Sequence, residues 1–221
     1  MKIEIEKTLP RDIETRSMEI IESEMGVHSE LSAEERIVVK RVIHTTADFD
    51  FADNLKFSRN AVAAALSALR GGAVIVTDTH MAESGISKPA TKALGCEIYC
   101  FMSDEDVAAN AKANGCTRAV CSMDKAADLF SDKPVIFAIG NAPTALIRLY
   151  ELINDKKLAP SLIIGAPVGF VNIIQSKELI MQTDAPYIVA AGRKGGSGVA
   201  AAICNALLYQ LYDRSTGKLY E

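Results

Sequence analysis

From residue 73 onward, short and continuously apolar runs alternate with longer stretches of helical character, and this alternation restricts the chain more than any other feature. The apolar runs cover residues 73–77, 97–101, 118–121, 134–139, 161–164 and 187–190, and helical stretches lie near 104–114, 142–154, 171–181 and 197–212. Strands this short and apolar throughout predict a parallel sheet covered on both faces. The alternation with helices predicts right-handed crossovers, hence an α/β chain folded as a three-layer α/β/α sandwich with a mainly parallel sheet. The first 70 residues instead predict an N-terminal helical region, with helices over 12–25, 32–44 and 58–70. Ser32 and Glu35 form a candidate capping box, and Gly71-Gly72 is a helix stop. No repeat or linker interrupts the 221 residues, so a single domain over 1–221 is expected, with the helices of residues 10–70 packed on an α/β core of 71–212.

Charge narrows the function classes. With 24 Lys+Arg against 28 Asp+Glu, the net charge of -4 argues against a nucleic-acid partner. It leaves room for an anionic small ligand, because the local field outweighs the total. No run approaches the roughly 18 apolar residues of a membrane span. The opening Met1-Lys2-Ile3-Glu4-Ile5-Glu6 alternates charge and lacks a signal peptide's apolar core. The odd count of five cysteines, Cys96, Cys100, Cys116, Cys121 and Cys204, then favours free, buried structural thiols in a reducing cytoplasm. Their C-x3-C and C-x4-C spacings are not those of a zinc site, and with no H-E-x-x-H or similar cluster no protein-bound metal is expected.

In a parallel sheet, ligands bind beyond the carboxyl ends of the strands. Four loops there are rich in Gly, Pro and small polar residues: 77–80, 140–144, 165–169 and 192–198. The last, Gly192-Arg193-Lys194-Gly195-Gly196-Ser197-Gly198, pairs two cations with glycines that let the backbone approach a ligand and with Ser197 opening a helix. It matches neither a P-loop nor a dinucleotide fingerprint. Anion binding is the better reading. His44, at a helix end and one turn past Arg41, is either a general acid or base or a carbonyl cap complementing the helix dipole. His28 reads as a solvated surface residue, and His80 either faces the site or lines a loop. Of the scattered carboxylates Asp48, Asp50, Asp53, Asp78, Asp104 and Asp106, most read as solvated helix starts or loop residues.

Several ordered segments resemble one family. Arg41-Val42-Ile43-His44-Thr45-Thr46-Ala47-Asp48-Phe49-Asp50-Phe51 is similar to the histidine segment of the precorrin-8X methylmutases, including their cobalt-precorrin-8 branch. The resemblance continues through Thr77–Ala82, Gly140–Leu146, Gly165–Val171, Ser176-Lys177-Glu178 and Gly192–Ser197, and reaches back to Ile13–Ser17. It spans about residues 10 to 210.

The resemblance implies an isomerase that moves a methyl group from C-11 to C-12 of a corrin precursor during cobalamin biosynthesis, within an α/β/α homodimer. It implies His44 as the acid catalyst, and Ser17, Arg41, Thr45, Arg118, Arg193, Lys194, Gly195, Gly196 and Ser197 as contacts to a polycarboxylate tetrapyrrole. It implies no cofactor, since any cobalt belongs to the substrate, and the His44–Phe49 segment leans to the cobalt branch. Val168, Phe170 and Met81 would cover the macrocycle. Two other classes stay open: a non-catalytic corrinoid carrier and, on the glycine-rich loops alone, a nucleotide-binding α/β protein.

Overall fold

The computed structural model describes residue 3 and residues 6–220, so most of the charged opening segment lies outside the described residues. Helices α1 (Ile13–Glu24) and α2 (Ala33–Thr46) come first, the latter started by the Ser32–Glu35 capping box. One-turn α3 (Phe51–Asn54) and strand β1 (Leu55–Phe57) follow, then α4 (Ala61–Arg70) and β2 (Val74–Thr77). Two short helices, α5 (His80–Gly85) and α6 (Lys88–Ala93), precede β3 (Glu97–Tyr99). Next come α7 (Glu105–Asn114), α8 (Arg118–Leu129) and β4 (Val135–Ile139). Strict alternation ends the sheet: α9 (Pro143–Asn154), β5 (Leu162–Gly165), α10 (Ile173–Met181), β6 (Tyr187–Ala190) and α11 (Ser197–Leu208). A small hairpin of β7 (Tyr212–Asp213) and β8 (Lys218–Leu219) closes the described chain.

The six-stranded sheet runs β1-β6-β5-β4-β2-β3, parallel except at its β1 edge. Side chains alternate between its faces with the period of two that strands impose. Ile75, Ile136, Ala138, Ile164 and Ile188 join the core made with α1, α2, α4 and α11. Val74, Val76, Phe137, Ile163 and Val189 join the core made with α7, α8, α9 and α10. The sheet is therefore the middle of three layers, as the apolar runs predict. No helix among the described residues is long and apolar enough to cross a membrane.

Three expectations fail locally. Residues 118–121 are the first turn of α8, not a strand, and the Thr117 hydroxyl caps that turn by accepting the Val120 N–H. Four apolar residues cannot separate the two periods, whereas Ala119, Met123, Ala126 and Ala127 together carry helical spacing. The helical N-terminal region contains strand β1, which pairs antiparallel with β6 (Leu55 opposite Ala190) and covers the outer edge of that strand. The last helix stops at Leu208, and the 197–212 stretch ends in the hairpin instead.

The strand order has a functional consequence. From β2 the chain goes one way to β3, while β4, β5 and β6 are laid down the other way. The switch point lies between β2 and β4, and crevices at such points are where open α/β sheets bind ligands. Here the N-terminus of α11 is pressed into the crevice. A Cβ on Gly140 would stand 2.6 Å from Ser197 Cα and 2.8 Å from its N, so this position excludes any side chain. Gly140→Ala is expected to lower stability by about 2–3 kcal/mol, because backbone must move to admit the methyl. Urea unfolding measures this, and an unchanged midpoint would contradict the close approach.

Candidate active site

All four loops singled out by composition lie at the carboxyl ends of β2, β4, β5 and β6. Asp78, just past β2, ties the first two of them together. Its carboxylate is fully buried and accepts N–H groups from Gly140 (2.8 Å), Asn141 (2.8 Å) and Ala142 (2.6 Å) at the start of α9. Burial pushes this carboxyl above the ordinary aspartate range, and the three amide donors oppose that shift. Asp78 is thus no solvated loop residue. A carboxylate is retained inside because it satisfies three buried or half-buried main-chain donors of the loop leading into α9.

The β6–α11 loop closes over the other side of the crevice. Gly195 (φ +157°) passes so close to the β5 loop that a Cβ would lie 2.2 Å from the Ala166 carbonyl oxygen. Gly196 donates its N–H to that same oxygen (2.8 Å), and Gly169 donates to the Arg193 carbonyl (3.3 Å). At the head of α11 the Ser197 hydroxyl lies 2.8 Å from that of Thr79, which also caps α5. Beneath the loop, Lys177 of α10 is 1% exposed and donates to the carbonyls of Gly192 (2.8 Å) and Lys194 (2.9 Å). Sequence reasoning met Lys177 only inside a family motif. Its signal was a lone lysine in an otherwise half-apolar helix.

His44 stands in the last turn of α2, exposed, and its ring has no hydrogen-bond partner among the described residues. Ala47 ends that helix in the left-handed region (φ 53°), turning the chain toward the glycine-rich loop. The Lys194 ammonium then bridges back, 2.6 Å from Asp48 and 2.6 Å from Asp50. This pairing holds the Asp48 carboxyl below its usual range and the Lys194 amine above its own. Gly198 faces the Thr45 methyl, 4.0 Å from where its Cβ would be. The end of α2, which carries His44 and Thr45, therefore borders residues 194–198.

Apolar side chains stand open on the same loops: Phe170 is 85% exposed and Met81 73% exposed. The Arg193 guanidinium lies over the Phe170 ring, 5.8 Å from its centroid. Arg118 begins α8 on the opposite helical layer, exposed, with a 3.5 Å contact to the Met102 carbonyl. The adjacent Thr117 hydroxyl lies 2.9 Å from that of Thr144, so α8 and α9 present neighbouring N-termini.

Ser17 and Arg41 are placed elsewhere. The Ser17 hydroxyl donates to the Ile13 carbonyl within α1. The Arg41 guanidinium donates to Glu14 (2.7 Å) and lies over the Tyr209 ring, away from the glycine-rich loop. Arg214 and Arg41 together hold the Glu14 carboxyl down at about 2.

The other histidines are bonded. His28 is half-buried rather than solvated, with a ring nitrogen 3.0 Å from the Met25 carbonyl. His80 lies between Glu83 (2.7 Å) and Ser103 (2.7 Å). With Cys100 it forms the one group among the described residues whose His, Cys and carboxylate donor atoms lie within 4.8 Å of one another, though both ring nitrogens already have partners. All five cysteines are free, and Cys96, Cys121 and Cys204 are buried.

Comparison with known proteins shows what the chain is similar to. A family model described as precorrin-8X methylmutase matches residues 12–210. The chain is 46% identical over 206 residues to the cobalt-precorrin-8 methylmutase of Leptospira interrogans, covering 90% of this chain and 93% of that protein. It is 47% identical over 176 residues to the enzyme of the same name from Salmonella typhimurium, covering 80% and 81%. It is 38% identical over 169 residues to the precorrin-8X methylmutase of Pseudomonas aeruginosa, covering 76% and 80%. A solved structure of precorrin-8X methylmutase from Thermus thermophilus superposes with a TM-score of 0.83 at 38% identity, covering 90% of this chain and 94% of that one.

Burial pushes the Lys177 amine down to about 8 from an ordinary 10.5. Between those values the folded chain holds fewer protons than the unfolded chain, so stability rises with pH across the window. Below it, the cost of burying the charge is felt in full. Urea midpoints of the wild type should therefore gain relative to Lys177→Met between about pH 7.5 and about pH 10. Parallel pH profiles of the two proteins would contradict the burial of an ionisable amine.

Proposed function

The chain belongs to the precorrin-8X methylmutase family, and from that footing we propose how its site moves a methyl group from C-11 to C-12 of a corrin precursor in cobalamin biosynthesis. Family membership makes it an isomerase, which favours catalysis over the carrier reading. The observation that carries the site assignment is that the end of α2, which carries His44 and Thr45, borders residues 194–198 at the mouth of the sheet. The His44 ring, free of protein partners among the described residues, protonates or hydrogen-bonds a ring nitrogen of the macrocycle as the methyl migrates. Arg193, Arg118 and the Gly195 N–H receive peripheral carboxylates through charge-assisted hydrogen bonds, while Gly196, its N–H held by the Ala166 carbonyl, and Ser197 shape the loop beside them. Met81, Val168 and Phe170 supply the apolar cover. The migration is internal to the substrate, so the chain needs no methyl donor and no cofactor of its own.

The substrate we favour is the cobalt-containing one. Relatives named for cobalt-precorrin-8 range from 36% to 47% identity, against 34% and 38% for two named for precorrin-8X, so the lean rests on the upper end of that range. Ser17 and Arg41 are proposed to contact substrate within a homodimer, a reading supported by exposed Ile13, Ile20 and Ile37 on the same two helices. The five free thiols fit a reducing, cytoplasmic setting.

Turnover is followed in the visible spectrum with enzyme well below substrate. Many turnovers per enzyme are expected, whereas a carrier yields at most one equivalent. His44→Ala is expected to slow the reaction by about 100-fold or more while corrinoid binding is retained, in line with the usual worth of a positioned acid. An unimpaired variant would remove His44 from the chemistry. Run side by side, the cobalt-containing substrate should isomerise with the higher kcat/KM, and a preference for the metal-free ring would reverse the assignment.

A further inference from the structure

Lysine is almost never fully buried without a charged partner. Lys177 is buried, and among the described residues its amine bonds only two main-chain carbonyls, those of Gly192 and Lys194. The elements packed on α10 bring it no counter-charge. Strands β5 and β6 carry no charged side chain. Arg148 of α9 is bound to Asp124 and Glu151. In the loop itself, the Lys194 ammonium is turned to Asp48 and Asp50, and Arg193 lies over Phe170. Methionine would fill the same volume without the cost of burying an amine.

The geometry of the peptide unit shows what this costly amine accomplishes. In a trans peptide the C=O and the following N–H point in opposite directions. With the Gly192 and Lys194 carbonyls drawn inward onto Lys177, the N–H groups of Arg193 and Gly195 are turned outward. Neither N–H has a hydrogen-bond partner among the described residues. Two unpartnered main-chain N–H groups two residues apart on one side of a loop can donate together to one carboxylate. Gly192, Gly195 and Gly196 all have positive φ, so the loop reaches this shape at little steric cost but needs an anchor to keep it.

We infer that Lys177 is a positioning residue that turns the Arg193 and Gly195 amides outward, and that these two amides form a backbone cradle for one carboxylate of the substrate. The inference rests on the polycarboxylate substrate proposed above and specifies which atoms receive one of its carboxylates.

Two readouts that need no turnover separate it from that reading. Arg193 and Lys194 are exposed trypsin sites within the loop. Lys177→Met should be cut there at least about tenfold faster than wild type, with the fragments located by mass and the overall fold checked by circular dichroism. Added propane-1,2,3-tricarboxylate should shift the Arg193 and Gly195 amide resonances of the wild-type protein ahead of other amides. This second measurement holds even if the variant does not fold. With corrinoid substrate, Lys177→Met should raise KM about tenfold or more and change kcat less. Unchanged trypsin cleavage in a folded variant, tricarboxylate shifts confined to other amides, or an unchanged KM would each overturn the inference. Absence of turnover by the wild type, with the first two results as expected, would instead count against the proposed function and leave the Lys177 anchor standing.

Discussion

One buried carboxylate organises the end of the sheet where the candidate site lies. Asp78 leaves β2 and at once takes three amides of the β4–α9 loop, so the two strands flanking the switch point are joined above it as well as within it. The crevice therefore has a rigid floor. Thr79, next in sequence, lies against the Ser197 hydroxyl, and Gly140 gives way to the α11 backbone. The head of α11, and the glycine-rich loop that leads into it, are positioned by what Asp78 holds in place.

The loop is gripped from two further sides by lysines with different tasks. Lys177 reaches it from below through carbonyls, whereas Lys194 reaches out of it to Asp48 and Asp50. The second contact couples the loop to the end of α2, the turn that presents His44. Two segments about 150 residues apart in the chain are brought side by side by the shared core of α2 and α11, and the exposed ion pair spans them at the surface.

Net charge becomes a weak guide at this scale. The chain is acidic overall, and one of the two loop cations is already neutralised by aspartates. What is left for an anion is Arg193, Arg118 and main-chain N–H groups. Backbone dipoles and helix N-termini appear in no composition count, yet they supply positive potential where side-chain charge is scarce.

Much of the fold was legible because strand period, helix caps and loop residues are local properties. The apolar runs at 134–139, 161–164 and 187–190 became β4, β5 and β6, the Ser32–Glu35 box started α2, and the four loops fell at strand ends. Residues 118–121 misled because four residues cannot distinguish the two periods. Strand β1 was hidden because its pairing with β6 is non-local. By itself, the sequence determined the layered α/β architecture and the glycine-rich loops at the strand ends, and it offered His44 and Arg193 as candidate site residues. Only the tertiary structure decided that Asp78 is buried, that Lys194 is spent on aspartates, that Arg41 is turned to Glu14, and that Lys177 lies under the loop. Each of these depends on partners distant in the chain, and the cost or benefit of a charge is set by those partners and by the exclusion of water.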